Sequence, residues 1–332
     1  MPGDYLIGNK ILNNASFFTP VQDGLQEAET LLRSQSYGGH PELVAALEHL
    51  LSSGGKRIRS ALALLTGQML GAPHDKVVTL AAAVELLHNA TLVHDDLIDG
   101  ALLRRGNPTL NSRWTPPATV LTGDFIFARA AKLAADTDHL PLMKHFAETL
   151  AVIVNGELTQ LFSARGLTSR DNYYKRIYAK TASLIEMTTR SAAMISPVDE
   201  SVVESMRMYG YNLGMAFQIV DDVLDFTGEQ AEVGKPVGSD LLQGLVTLPA
   251  IYYAEAHPDD PDVICLTSGC YSEHERMERL VLAVGKSPGV KKSLEEAEGY
   301  IQIALRSIET MPERVERQAL HDLARYIVAR KI

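Results

Sequence analysis

The sequence predicts an all-α protein, a large single-domain helical bundle around a central cavity. Three observations carry this. Apolar residues recur at helical spacing over long stretches, some of 20 residues or more. Alternating apolar and polar runs of the strand type are almost absent. The punctuation between stretches is that of helix ends, with Pro near a start and Gly after a stop.

In chain order, residues 1–20 are poorly periodic, with Asn13, Asn14 and Pro20 as breakers, and are expected to be poorly structured or a short N-terminal segment. Helical spacing follows over 21–35 (Leu25, Leu31, Leu32) and 41–52 (Leu43, Leu47, Leu50, Leu51), separated by Gly38-Gly39. The next helix covers 57–70 and stops at Gly71-Ala72-Pro73. One long Ala- and Leu-rich helix runs from Asp75 to Asp99. Pro116 opens another, to about Ala135, and Pro141 starts the one that carries Gly156, Glu157 and Gln160. A helix from Ser169 or Asp171 passes through Lys180 and Thr181 to about Met194, and Pro197 closes the gap after it. Residues 199–226 form a second long apolar helix, in which Met206, Met208 and Met215 read as core. Helices are then expected over 240–256, 272–285, 289–310 and 313–331.

The chain has 332 residues, enough for more than one domain, but no Pro/Gly/Ser-rich linker or composition shift divides it, so one domain over 1–332 is expected. An apolar share of 46% with 22% charged residues is that of a soluble globular protein. A net charge of −10 argues against a nucleic-acid partner and means that an anionic substrate must be drawn by a local basic patch. Two cysteines, Cys265 and Cys270, are too few for a disulfide scaffold or a cysteine metal site and read as reduced loop residues. No basic-then-apolar leader opens the chain. No uncharged apolar run approaches the ~18 residues of a membrane span; the longest candidates, 60–73 and 208–220, are short and interrupted. A cytoplasmic protein with no membrane span is expected.

The chemistry concentrates in residues 92–106, Leu-Val-His-Asp-Asp-Leu-Ile-Asp-Gly-Ala-Leu-Leu-Arg-Arg-Gly. Asp95 and Asp99 lie about 40° apart around a helix, and Asp96 lies a turn below Asp99. Three carboxylates crowd one face and repel unless a cation or water relieves them. Arg104 and Arg105 follow across a short loop. Mg²⁺ takes one or two carboxylates plus phosphate oxygens, and guanidinium binds phosphate bidentately. A lone Asp-Asp-x-x-Asp also suits a solvated acidic helix end. Here the pattern repeats: Asp221, Asp222 and Asp225 stand at the same spacing within Phe-Gln-Ile-Val-Asp-Asp-Val-Leu-Asp-Phe, followed by Lys235 in a Gly/Pro loop. Two carboxylate clusters, each followed by basic residues, predict a cage for a polyanion held through several Mg²⁺ ions. Upstream, Gly54-Gly55-Lys56-Arg57-Ile58-Arg59 places bases in a helix's first turn, where they oppose its dipole, so an anion is expected there. His88 alone reads as a packed polar residue, and His94, about 100° from Asp95, as structural.

These motifs, with Lys180-Thr181 between the two clusters, resemble the trans-isoprenyl diphosphate synthase family (polyprenyl synthetases) from about Leu43 to the C-terminus. The resemblance implies the isoprenoid synthase fold. It also implies a prenyltransferase that condenses isopentenyl diphosphate with an allylic diphosphate, uses three Mg²⁺ ions and packs as a homodimer. By motif, Lys56, Arg59, His88 and Arg105 would hold isopentenyl diphosphate. Arg104, Lys180, Thr181, Gln218 and Lys235 would surround the allylic diphosphate. Asp95 and Asp99 would ligate metal with Asp96 supporting; Asp221 would take the third ion, with Asp222 and Asp225 ligating through water or orienting the shell. One departure is that Leu245 follows Gly244 where the family often has lysine, which removes that lysine's role but not the core site.

In this family bulky residues four and five positions before the first aspartate stop the chain early. Here those positions are Thr91 and Ala90, both small, so a product beyond fifteen carbons is expected. Phe125, Phe127 and Phe162 are candidate floor residues. Three other readings compete. A class I terpene cyclase usually carries an Asn/Ser/Glu second metal motif, which is absent. A di-iron bundle needs two Glu-x-x-His motifs, and only Glu85-Leu86-Leu87-His88 is present. A non-catalytic partner subunit typically loses one aspartate cluster, and both are intact here.

Overall fold

The computed structural model describes residues 16–36, 40–52, 57–104, 106–162, 166, 168–227, 237–269 and 273–330. Lys56, Arg105, Lys235 and Cys270 lie outside these residues. After a 3-10 turn at Ser16–Val21 come α1 (Gln22–Ser34), α2 (Pro41–Ser52), α3 (Ile58–Leu70) and α4 (His74–Ile98). A two-residue hairpin pairs β1 (Leu103–Arg104) with β2 (Asn107–Pro108) and is the whole of the sheet among the described residues. Then come α5 (Pro116–Ala135), α6 (Leu140–Phe162), α7 (Arg170–Ile177), a π turn (Tyr178–Ala182), α8 (Ser183–Met194) and α9 (Glu200–Thr227). The chain continues with α10 (Ser239–Leu242), α11 (Leu248–Ala256), α12 (Pro261–Thr267), α13 (His274–Gly285), α14 (Pro288–Ile308) and α15 (Val315–Val328). The all-α expectation holds.

The chain groups into two compact units, each of three segments. The first comprises Met1–Glu148, Met187–Arg207 and Thr310–Leu323; the second comprises Thr149–Glu186, Met208–Glu309 and Ala324–Ile332. In the first unit α4 is the central helix, packed against α1, α3 and α5. It is apolar nearly all round: Leu80, Ala81, Ala82, Ala83, Val84, Leu86, Leu87 and Ala90 are all 0% exposed. Such a helix is stable only when covered on all sides. Gly67 of α3 lets Val77 approach, since a Cβ there would lie 2.4 Å from a Val77 methyl carbon. Gly71, at φ 78°, then stops α3, and Pro73 precedes α4.

Helix α4 also corrects an expectation. It is long and apolar enough to cross a membrane by composition, because its polar residues are widely spaced rather than absent. Its most apolar window is 72% buried within the protein, as in the core helix of a globular fold.

In the second unit α11 packs on α14, and α13 on α10 and α12. Met206 and Met215 are fully buried, as expected, and Met208 half-buried. Two expectations fail here. The helix expected over 240–256 is two, because Gly244 adopts φ 79° and Leu245 bridges to Gly166 before Pro249 restarts the helix. Cys265 is not in a loop: it is buried in α12, whose start is capped by the Asp260 side chain with Pro261 at the first position.

Candidate active site

The first aspartate cluster occupies the last turn of α4. Asp99 is the C-cap, its N–H donating to the Asp95 carbonyl at 2.8 Å. Carboxylates at this end oppose the helix dipole, which costs each about 0.3–1 kcal/mol and favours a nearby cation. The three are not equivalent. Asp96 is buried and accepts Arg104 Nε at 2.8 Å, while Asp95 is half-buried and Asp99 exposed. Arg104 sits in β1, opposite Asn107, with Gly106 at φ 76° supplying the turn. The Thr109 hydroxyl donates to the Ala101 carbonyl at 2.7 Å, and the Asp96 carbonyl accepts Ala101 N–H at 2.8 Å, so the hairpin is tied to the helix end.

Of the bases before α3, Arg57 has a structural position. At φ 48° it turns its guanidinium onto Glu85 (3.0 Å) and Glu29 (2.8 Å). Glu85 also accepts the Ser60 hydroxyl. Arg59 is half-buried in the first turn of α3, and His88 half-buried on α4. Ala90 is fully buried; Thr91 is half-buried and donates its hydroxyl to the His88 carbonyl at 2.8 Å. His94 packs the first unit, as expected. Its Nε2 meets the Val120 carbonyl at 3.2 Å, its ring lies 5.4 Å from Phe127, and a Cβ on Gly123 would come within 2.1 Å of it. Phe125 and Phe127 are half-buried on α5, and Phe162 is 85% exposed at the end of α6.

The second cluster lies in the last turns of α9 and repeats the division. Asp222 is buried and accepts Tyr173 OH at 2.8 Å and Gln218 Nε2 at 2.7 Å. Asp225 accepts Ser239 Oγ at 2.9 Å and the Asp240 N–H at 3.2 Å. Asp221 remains more open and pairs with Arg330 Nη1 at 2.5 Å. Burial, then the charge of Asp240, pushes the Asp222 carboxyl up to about 7, against the pull of the Gln218 and Tyr173 hydrogen bonds.

Lys180 and Thr181 lie in the π turn. One extra residue is held in this turn, and such bulges are frequent at functional sites. Thr181 Oγ1 donates to Gln218 Oε1 at 2.6 Å, and Lys180 Nζ to Glu157 Oε1 at 3.0 Å. Two glycines receive the turn. A Cβ on Gly156 would sit 2.4 Å from the Ala179 Cβ, and one on Gly214 2.5 Å from the Ala182 Cα. Tyr173, Ser239 and Arg330 escaped the sequence reading. A single Tyr, Ser or Arg far from a motif carries no spacing signal, and their roles come from contacts between residues distant in the chain.

Among the described residues no three His, Cys, Asp or Glu side chains converge to form a metal group on their own. The donors around Asp95, Asp99 and Asp221 are carboxylate oxygens, the hard-ligand chemistry of Mg²⁺, which completes its shell with water and phosphate. The residues present fit that ion.

Residues 40–281 match the family model for polyprenyl synthetases. The chain is 34% identical to heptaprenyl diphosphate synthase component 2 of Bacillus subtilis, over 94% of this chain and 89% of that one. It is 34% identical to chloroplastic solanesyl-diphosphate synthase 2 of Oryza sativa, over 95% and 79%. A crystal structure of polyprenyl synthase from Caulobacter crescentus, complexed with calcium and isoprenyl diphosphate, superposes with a TM-score of 0.89 at 32% identity, covering 95% of this chain and 97% of that one. With both aspartate clusters, the Lys180-Thr181 turn and an all-α fold in place, the chain belongs to the polyprenyl synthetase family, the trans-isoprenyl diphosphate synthases.

Proposed function

We propose that the protein is a Mg²⁺-dependent prenyltransferase that joins isopentenyl diphosphate to an allylic diphosphate and makes an all-trans polyprenyl diphosphate longer than fifteen carbons. The observation that carries this is the shared division of labour in the two clusters. Asp96, Asp222 and Asp225 are buried in protein hydrogen bonds, whereas Asp95, Asp99 and Asp221 keep more open carboxylates. The buried members orient; the open ones are the ligands for up to three Mg²⁺ ions. Bound there, Mg²⁺ supplies Lewis-acid neutralisation of the diphosphate oxygens.

The chain's own groups do the rest. Lys180 on the π turn, Arg104 on the hairpin and Lys235 hold the charge that develops on the leaving diphosphate. The Thr181–Gln218 hydrogen bond holds the turn that carries Lys180. Lys56, Arg59, His88 and Arg105 hold the diphosphate of the second substrate. The allylic C–O bond breaks with its electron pair going to pyrophosphate. The double bond of isopentenyl diphosphate attacks the cation, and loss of a proton restores an alkene five carbons longer. Small residues at 90 and 91 support a long product, as do the heptaprenyl and solanesyl names of the relatives.

The decisive experiment incubates purified protein with Mg²⁺, labelled isopentenyl diphosphate and primers of ten, fifteen and twenty carbons, and sizes the dephosphorylated products by chromatography. A ladder extending beyond the primer is expected. A hydrocarbon formed without use of isopentenyl diphosphate would instead indicate a cyclase. No turnover despite Mg²⁺-dependent diphosphate binding would favour a partner-dependent subunit, a reading supported by the component name of the Bacillus relative.

A further inference from the structure

We propose that Tyr173 is a positioning residue for the reaction, acting through a buried chain, Tyr173–Asp222–Gln218–Thr181, that fixes the Thr181 hydroxyl on the π turn beside Lys180. The inference rests on the reading that Lys180 meets a diphosphate.

The Tyr173 side chain is 0% exposed, and its hydroxyl donates to Asp222 Oδ2 at 2.8 Å. The other Asp222 oxygen accepts Gln218 Nε2 at 2.7 Å, which fixes the way the amide faces. The Gln218 carbonyl oxygen must then point at a donor, and it accepts Thr181 Oγ1 at 2.6 Å. Each link sets the polarity of the next, and the chain ends with the Thr181 proton committed to Gln218, so Thr181 acts by holding the turn that carries Lys180 rather than by donating to a phosphate.

Backbone geometry serves the same end. Eight positions separate Tyr173 from Thr181, which in an unbroken α-helix leaves them about 80° apart. The extra residue of the π turn takes up most of that angle, bringing both hydroxyls towards Gln218 and Asp222, one turn apart on α9. Tyr173 is itself clamped. Arg176 lies 5.4 Å from its ring centroid and donates Nη2 to the Val246 carbonyl at 2.6 Å. A buried tyrosine here supplies the one thing a phenylalanine cannot, a hydroxyl for Asp222.

The test is a double-mutant cycle with Tyr173→Phe and Thr181→Val, which share no direct hydrogen bond. Two readouts are taken: the KM for the allylic diphosphate against kcat, and Mg²⁺-dependent binding of inorganic pyrophosphate by calorimetry. Tyr173→Phe is expected to raise the allylic KM and the pyrophosphate Kd about tenfold. Adding it to Thr181→Val should change neither further. Thr181→Ser, which keeps the hydroxyl, should restore the sensitivity to Tyr173→Phe. Gln218→Leu gives a second break in the chain, on which Tyr173→Phe should again have no added effect. Additive losses in the cycle, or a Tyr173→Phe protein that binds and turns over as the parent does, would overturn the proposal. If the parent binds pyrophosphate but elongates no primer, the prenyltransferase reading fails, while the calorimetric cycle still decides the chain of contacts.

Discussion

Asp222 is one motif aspartate whose surroundings make a pH prediction. Its folded carboxyl is raised from 3.8 to about 7, first by burial. A carboxyl raised in this way contributes stability that is fully present below about pH 3.8 and is lost as pH climbs to about 7. Asp222→Asn should therefore gain on the parent in thermal midpoint as pH rises from 4 to 7 in the metal-free protein. A difference that stays flat across this window would count against the assignment. In the first unit, Thr91 and Ala90 differ as targets. Ala90 is fully buried, so Ala90→Phe overpacks a filled position and is expected to destabilise by about 1–3 kcal/mol. Thr91 is half-buried, which makes Thr91→Phe the cleaner probe. It should shorten the product by at least one five-carbon unit, read by chromatography of the product ladder, with little loss of thermal stability.

Among the elements, the π turn is where local sequence is least informative. Tyr178–Ala182 reads as ordinary helix, and the bulge exists because α6 and α9 present glycines to it. Gly214→Ala would drive a Cβ to 2.5 Å from the Ala182 Cα, a backbone atom that cannot yield cheaply. It is expected to cost about 1–3 kcal/mol and to lower the thermal midpoint. Gly299, inside α14 with nothing within 4 Å of an added Cβ, is the control. There Gly299→Ala should stabilise by about 0.5–1 kcal/mol through helix propensity alone. Equal effects of the two substitutions in a denaturant titration would refute the packing argument. Helix boundaries were legible wherever Pro and Gly mark them, as at Gly71, Pro73 and Pro116. The break at Gly244 was not, because an isolated glycine inside an apolar run is compatible with helix until a partner, here Gly166, claims its backbone.

For the whole molecule, each compact unit is assembled from three separated chain segments, and α6, α8, α9 and α15 contribute residues to both. Neither unit is a continuous piece of chain. We therefore expect a single domain that unfolds in one calorimetric transition, and two resolved transitions would contradict it. Helix α6 exposes Val154, Leu158 and Leu161, 47%, 45% and 54% accessible, at positions that share a face. An apolar stripe of this kind supports the homodimer implied by the family, and light scattering should report twice the chain mass. A monomer that becomes active only with a second protein would point to a heteromer.

The all-α class, the order of the long helices and the two aspartate clusters were all readable from residue order, because periodicity, helix punctuation and motif spacing act within a few turns of chain. The division within each cluster was not. Asp95 and Asp96 are neighbours in sequence, yet one is half-buried and the other closed by Arg104 from a hairpin; Asp221 and Asp222 diverge in the same way. Burial, carboxyl protonation and the π turn depend on which distant side chains arrive at a given atom. Those contacts, Tyr173 with Asp222, Arg330 with Asp221 and Gly214 with Ala182, come into being only when the helices pack.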